Sequence, residues 1–146
     1  MLLSIIASGD VLGWKETEIS RDVPLPRKIE IVPPSADCPK EIAAFSGRWE
    51  GIWEGGRRQS KSVLIVEEIN SEGAKVVYGW SGYYNVKADY QRHKAKVIPG
   101  GIIQFSGPHS DYSFKMDEDL KTIHGTSKHR KSPGDPATIT MKKVEE

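Results

Sequence analysis

The chain has 146 residues, of which 28% are charged, and its formal net charge is +1. This length suits one domain with a core of its own, and the balanced charge excludes the strong overall field typical of proteins that bind nucleic acids or membrane surfaces. Cys38 is the only cysteine, so no disulfide can form within the chain. We expect a soluble protein with no nucleic-acid partner and no membrane span, in the cytoplasm rather than exported.

The first forty residues differ in texture from the rest of the chain. Five prolines between positions 24 and 39 disfavour both helix and central strand. We therefore predict an irregular, extended N-terminal arm over residues 1–40, with one short edge strand at 28–32. Such an arm can tether a domain or dock a protein partner. Residues 40–45 predict one helical turn that leads into the second segment, a domain over 41–146.

From residue 46 onward, short β-rich runs alternate with turn signals. Turns containing Gly, Pro, Asn and Asp separate most of these runs by hairpin length. Consecutive hairpins without intervening helices favour an all-β, eight-stranded antiparallel up-and-down barrel over a two-sheet sandwich. The predicted strands are 47–54, 61–69, 74–81, 91–98, 101–106, 111–116, 119–126 and 136–143.

Alternation along the strands predicts which side chains face the interior. In the first strand Trp49, Gly51 and Trp53 share one face, a bulky wall with a single gap. In the second strand the same reasoning places Val63 and Ile65 inside. Glu67 shares their face, which leaves open a single inward carboxylate near one mouth, but we favour a solvated residue at the strand end. Arg48, Glu50 and Glu54 are predicted on the outer face of the first strand.

The run Phe45-Ser46-Gly47-Arg48-Trp49 resembles the Gly-x-Trp signature at the first strand of lipocalins and related calycin barrels. Asp111-Tyr112 is similar to a second signature of that family, Thr-Asp-Tyr. The resemblance implies that Trp49 is a structural plug at the closed end of the barrel, and that the interior binds a fatty acid, retinoid, haem or another small apolar molecule. The family's third signature is an arginine across this tryptophan, and here the nearby positions are Lys142 and Lys143.

An eight-stranded barrel is wide enough either to be filled by side chains or to hold one small ligand. We predict non-catalytic binding of a small, largely apolar or aromatic ligand, with residues 82–90 as a lid. No catalytic residue, cofactor or metal site is predicted. The expected ligand-binding residues, which combine aromatic surface with orienting polar groups, are Trp53, Tyr78, Trp80, His93 and Tyr112.

Two alternatives remain open at this point. One is an accessory or protein-interaction domain whose barrel core is filled, with the N-terminal arm as its docking element. The other is a haem-binding or enzymatic barrel that uses His93 or His124, provided that these side chains face inward. Because the sequence contains none of the common catalytic motifs, we favour a binding protein over an enzyme.

Overall fold

Eight antiparallel strands form a closed barrel in the computed structural model, which describes residues 15–55, 59–131 and 134–145. Each strand pairs with the next along the chain, and the last pairs with the first. The predicted up-and-down barrel is therefore confirmed. One turn of helix, α1 (Lys40–Ala43), precedes the barrel. The strands are β1 (Gly47–Glu54), β2 (Lys61–Asn70), β3 (Gly73–Trp80), β4 (Asp89–Ile98), β5 (Ile102–Ser106), β6 (Ser110–Met116), β7 (Thr122–His129) and β8 (Ala137–Val144).

The largest boundary difference from the sequence prediction lies at β7, which runs over Thr122–His129 rather than 119–126. Residues 119–121, predicted as the start of this strand, belong instead to the turn before it. Asp119 accepts hydrogen bonds from the Lys121 N–H and the Thr122 hydroxyl, both at 2.8 Å. Leu120 has a φ of 59°, which is left-handed backbone that a strand cannot contain.

The register of β2 is opposite to the prediction. Leu64 and Val66 belong to the main core inside the barrel, whereas Val63 and Ile65 belong to a second cluster on the outer face. Four consecutive apolar residues, 63–66, carry no alternation from which a face could be assigned. Glu67 lies on the outside, where its carboxylate is 3.4 Å from Arg92 Nε, so the inward alternative for this residue is not met.

The described part of the N-terminal arm lies against the outer face of β2 and β3. Val23 and Ile29 pack there on Val63, Ile65 and Val77, and all five side chains are buried. This packing explains why strand β2 is apolar on both faces. The chain over 28–32 is not a strand; it contributes one ladder-like bond, from the Val32 N–H to the Glu67 carbonyl at 2.8 Å. Residues 1–14 of the predicted arm lie outside the described residues.

An ion pair and a hydrogen bond fasten the arm to the outer wall of the barrel. Asp22 lies 2.6 Å from Lys61 Nζ, and this contact lowers the pKa of the Asp22 carboxyl through its hydrogen bond and charge. Thr17 donates a 2.7 Å hydrogen bond to Glu50. Glu50 in turn lies 3.0 Å from Arg48, and both members of that pair are buried. The outward direction predicted for Glu50 is correct, but the arm covers it, so it is a structural anchor.

The gap between the two β1 tryptophans is filled by side chains of β8. A Cβ added to Gly51 would lie 2.5 Å from the Thr140 carbonyl oxygen and 3.0 Å from atoms of Ile139 and Met141. Glycine here therefore permits close approach of β8. Trp49, Trp53, Ile139 and Met141 are buried together in the main core. The barrel interior beside Gly51 is therefore filled by side chains.

Among the described helices, none combines the length and apolar composition that crossing a bilayer requires.

Candidate ligand cleft at the open end

The two ends of the barrel are built differently, and α1 marks the closed one. Trp49 is fully buried there, and its indole Nε1 donates a 2.8 Å hydrogen bond to the Phe45 carbonyl. The Phe45 and Trp49 rings lie 6.5 Å apart, tilted by 58°. Ile42 of α1 is buried over them. The structure thus places Trp49 at the bottom of the barrel, beneath the helical turn.

Lys143 lies across the Trp49 ring. Its Nζ is 5.5 Å from the ring centroid and donates a 3.2 Å hydrogen bond to the Ala44 carbonyl. Burial lowers the pKa of this ammonium, partly offset by Glu145. A cation over an indole is attracted by the ring quadrupole. Lysine therefore occupies the position at which the lipocalin resemblance implies an arginine.

The opposite end holds a cleft of about 340 Å³. Its walls come from the ends of β3 and β7, the starts of β4 and β6, and two connections: residues 81–88 after β3 and residues 107–109 after β5. Four of the five predicted ligand-binding residues line it. The lining residues are Tyr78, Trp80, Tyr83, Val86, Gln91, His93, Gly107, Pro108, His109, Ser110, Tyr112 and His129.

Trp53, the fifth predicted residue, lies one layer below the cleft. It is fully buried, and its Nε1 is 2.9 Å from both the Ser62 hydroxyl and the Tyr78 hydroxyl. Those two hydroxyls are also 2.9 Å apart. A closed set of buried hydrogen bonds holds its members in one arrangement. Trp53 therefore orients Tyr78 in the cleft wall rather than lining the cleft itself.

A group of stacked rings forms the floor and one wall of the cleft. The Tyr78 and Tyr112 centroids are 4.9 Å apart, and Tyr112 stacks on Phe105 at 5.2 Å. His93 also stacks on Phe105, with the two ring centroids 4.8 Å apart and the ring planes 22° from parallel. Offset and tilted arrangements at these distances are favourable for aromatic pairs. The result is a rigid aromatic surface open to the mouth.

His93 is half-buried, and desolvation lowers the pKa of its imidazole. It is therefore neutral at pH 7, so it offers one donor and one acceptor without a charge. Gln91 lies on the same face of β4, two residues away, and also lines the cleft. The polar groups of this cleft thus include the Gln91 amide, the neutral His93 imidazole and hydroxyl groups, all set in aromatic surface.

Residues 82–90 were predicted as a lid, and the 81–88 connection does lie over the open end. It is closed by a bridge in which the Tyr83 N–H donates to the Val86 carbonyl at 3.0 Å and the Val86 N–H returns at 2.8 Å. The Trp80 Nε1 donates to the Lys87 carbonyl at 2.9 Å. These bonds hold the Tyr83 and Val86 side chains at the rim.

Sequence reasoning missed His109 and His129, which complete the far wall. Their rings are 5° from parallel with centroids 6.0 Å apart, and the Arg130 N–H donates to the His109 carbonyl. A signal for them was available. In an up-and-down barrel, the connections after the first, third, fifth and seventh strands lie at the same end, so the Gly107–His109 turn must meet the 81–88 connection.

His124 lies outside the barrel. Its side chain is 57% exposed, and its Nε2 lies 3.5 Å from Asp117. A haem ligand inside the barrel would have to face inward, and His124 does not. His93 does face the mouth. Over the ranges that the structure covers, no three His, Cys, Asp or Glu side chains are grouped closely enough to hold a metal ion.

Comparisons with known proteins support the fold and go no further. No family model and no curated protein matches the chain. One solved structure that it resembles is a redesigned β-barrel, with a TM-score of 0.59 and 12% sequence identity over 76% of this chain and 100% of that one. At this identity the likeness shows the fold alone: the chain is an all-β protein built as a closed, eight-stranded antiparallel barrel.

Proposed function

We propose that the protein binds a small, largely apolar or aromatic ligand in the open-end cleft, without catalysing a reaction on it. The observation that carries the proposal is the aromatic lining of that cleft, in which Tyr78, Trp80 and Tyr112 meet around about 340 Å³ of space. Ligand sites are typically concave, mostly apolar and equipped with a few polar groups. This volume suits a ligand of two or three fused or linked rings.

The proposal extends to a lipocalin-like organisation of the barrel. Three features support it: the Gly-x-Trp run at the start of β1, the burial of Trp49 at the closed end, and a cation over its ring. A barrel closed at one end and open at the other leaves a single mouth for ligand entry. The accessory-domain alternative has less support, because the buried apolar side chains Val23 and Ile29 of the described arm pack on the barrel's own outer face.

A fluorescent naphthalene probe without charge, N-phenyl-naphthylamine, tests the proposal. We expect its emission to rise on binding, with a Kd on the order of micromolar, as for a fragment of this size in a preformed pocket. Tyr83→Ser should weaken binding about tenfold, because it removes one aromatic wall of the cleft.

Tyr84→Ser is the matched control. Tyr84 is the next residue in the same connection, is 75% exposed and does not line the cleft, so its loss should change the Kd less than twofold. Absence of binding to the wild-type protein, or equal effects of the two serine variants, would contradict the proposal.

A further inference from the structure

The barrel wall opens beside the mouth, between β4 and β5. These strands pair at only three positions, from Lys96 with Gln104 to Ile98 with Ile102. On its other side β4 continues to pair with β3 as far as Asp89, and β5 continues to pair with β6 as far as Ser106. The upper half of β4 and the end of β5 therefore diverge, and no backbone ladder closes the wall there.

A groove of about 620 Å³ lies on the outer side of this gap. Tyr112 lines both the groove and the mouth cleft, and Phe105, on which Tyr112 stacks, also lines the groove. His93 and Lys94 are consecutive in β4 and point to opposite sides of the wall, His93 into the cleft and Lys94 into the groove. The two spaces are thus one wall thickness apart.

The groove is positively charged. Lys94, Lys96 and Lys128 line it and are exposed, and no ion pair holds any of these ammonium groups among the residues that the structure describes. The groove's one carboxylate is Asp111, which lies 2.8 Å from Arg130 and accepts a 2.7 Å hydrogen bond from Ser106. The hydrogen bonds from Ser106 and Arg130, and then the charges of Arg130 and Lys128, lower the pKa of Asp111, so it stays ionised; the three groove lysines still outnumber it.

We propose that the ligand is an amphipathic anion, with its aromatic body in the mouth cleft and its acidic group in the β4–β5 gap, facing Lys94, Lys96 and Lys128. The inference rests on the proposed function and adds the charge of the ligand. The cleft supplies an amide, hydroxyls and the neutral imidazole of His93, whereas the adjoining groove supplies three exposed lysines against one carboxylate. A ring system that carries a carboxylate or sulfonate can pack in the aromatic cleft and also interact with the lysines of the groove. An uncharged ring can only pack in the cleft.

Two probes with the same ring system separate the contributions: uncharged N-phenyl-naphthylamine and its sulfonated counterpart, anilinonaphthalene sulfonate. We expect the wild-type protein to bind the sulfonate about tenfold more tightly at low salt, with the difference falling as salt screens the charges. Lys94→Gln with Lys96→Gln should raise the Kd of the sulfonate about fivefold to tenfold and change that of the uncharged probe less than twofold.

The charge-matched control is Lys115→Gln with Lys121→Gln, which removes two exposed lysines that line neither space. It should leave both Kd values unchanged. Equal affinity of the wild-type protein for the two probes, or equal effects of the two double variants on the sulfonate, would overturn the inference. If Tyr83→Ser weakens both probes in either of those cases, the proposed function stands and only the anion assignment falls. If neither probe responds to Tyr83→Ser, both fall.

Discussion

The two ends of the barrel use the same residue type for opposite purposes. Trp49 at the closed end is completely covered by α1, Phe45 and Lys143. Trp80 at the open end is only partly buried, and one of its faces lines the cleft. What differs is the cover: a helical turn seals one end, whereas a connection with its own short bridge lies at the rim of the other. Aromatic content alone therefore does not distinguish a plug from a binding surface.

The largest expected effect comes from removing each of these tryptophans. Trp49→Ala should lower the free energy of unfolding by about 3–5 kcal/mol, because it leaves a cavity in a fully packed region. Trp80→Ala should cost only about 1–2 kcal/mol, since the side chain is part-exposed and loses one hydrogen bond. Urea unfolding of both variants measures the difference, and similar losses would show that the ends do not differ as described.

The next effect tests whether the wall between the β1 tryptophans is packed or open. Gly51→Ala should destabilise the protein by about 1–3 kcal/mol, because its Cβ would meet the Thr140 carbonyl oxygen at 2.5 Å. Gly134→Ala is the control, since nothing lies within 4 Å of its added Cβ. A Gly51 variant as stable as the Gly134 variant in urea would indicate free space at this level of the barrel.

A smaller effect sharpens the account of the closed end. Lys143→Arg should raise the free energy of unfolding by about 0.5–1 kcal/mol, because a guanidinium is less strongly hydrated than an ammonium and stacks better on the Trp49 indole. The control is Lys142→Arg at the next position, whose Nζ instead donates to the Thr122 hydroxyl on the outer wall. Stability gains of equal size would show that Trp49 is not the reason.

The smallest effect concerns pH at the open end. Desolvation lowers the pKa of His93 in the folded state, so the unfolded chain binds the proton more readily. The contribution of this group is complete above the unfolded pKa of about 6.5 and is lost as the pH falls through the lower folded value. We expect stability to decline from pH 7 towards pH 5 and to decline less in His93→Gln, with His124→Gln as an outer-wall control. Parallel wild-type and His93→Gln curves in urea unfolding would contradict this.

Periodicity was sufficient wherever one face of a strand is wet. β6 has polar residues between its inward positions, and Phe114 and Met116 lie in the core on the same face as Tyr112. β2 is buried on both faces because the arm covers its outer side, and its register was therefore predicted wrongly at Val63 and Ile65. A pattern of period two carries information only where water lies on one side.

For the candidate site, too, the sequence predicted some residues correctly and the position of another incorrectly. Tyr78, Trp80, His93 and Tyr112 were predicted because they share inward faces near strand ends, and the structure brings them together in one cleft. Trp53 shares such a face too, but its hydrogen bonds with Ser62 and Tyr78 place it below the cleft. Its depth depends on the stagger of β1 against β2, which no local pattern encodes.

The sequence by itself determined an eight-stranded barrel, its order of strands and the burial of Trp49, since alternation and turn residues act over a few positions. Only the tertiary structure decided that the arm covers β2 and β3, that Lys143 lies over Trp49, and that β4 and β5 diverge beside the mouth. Each of these depends on which surfaces meet after the chain closes. Contacts between residues far apart in sequence follow from the geometry of closure, not from local preference.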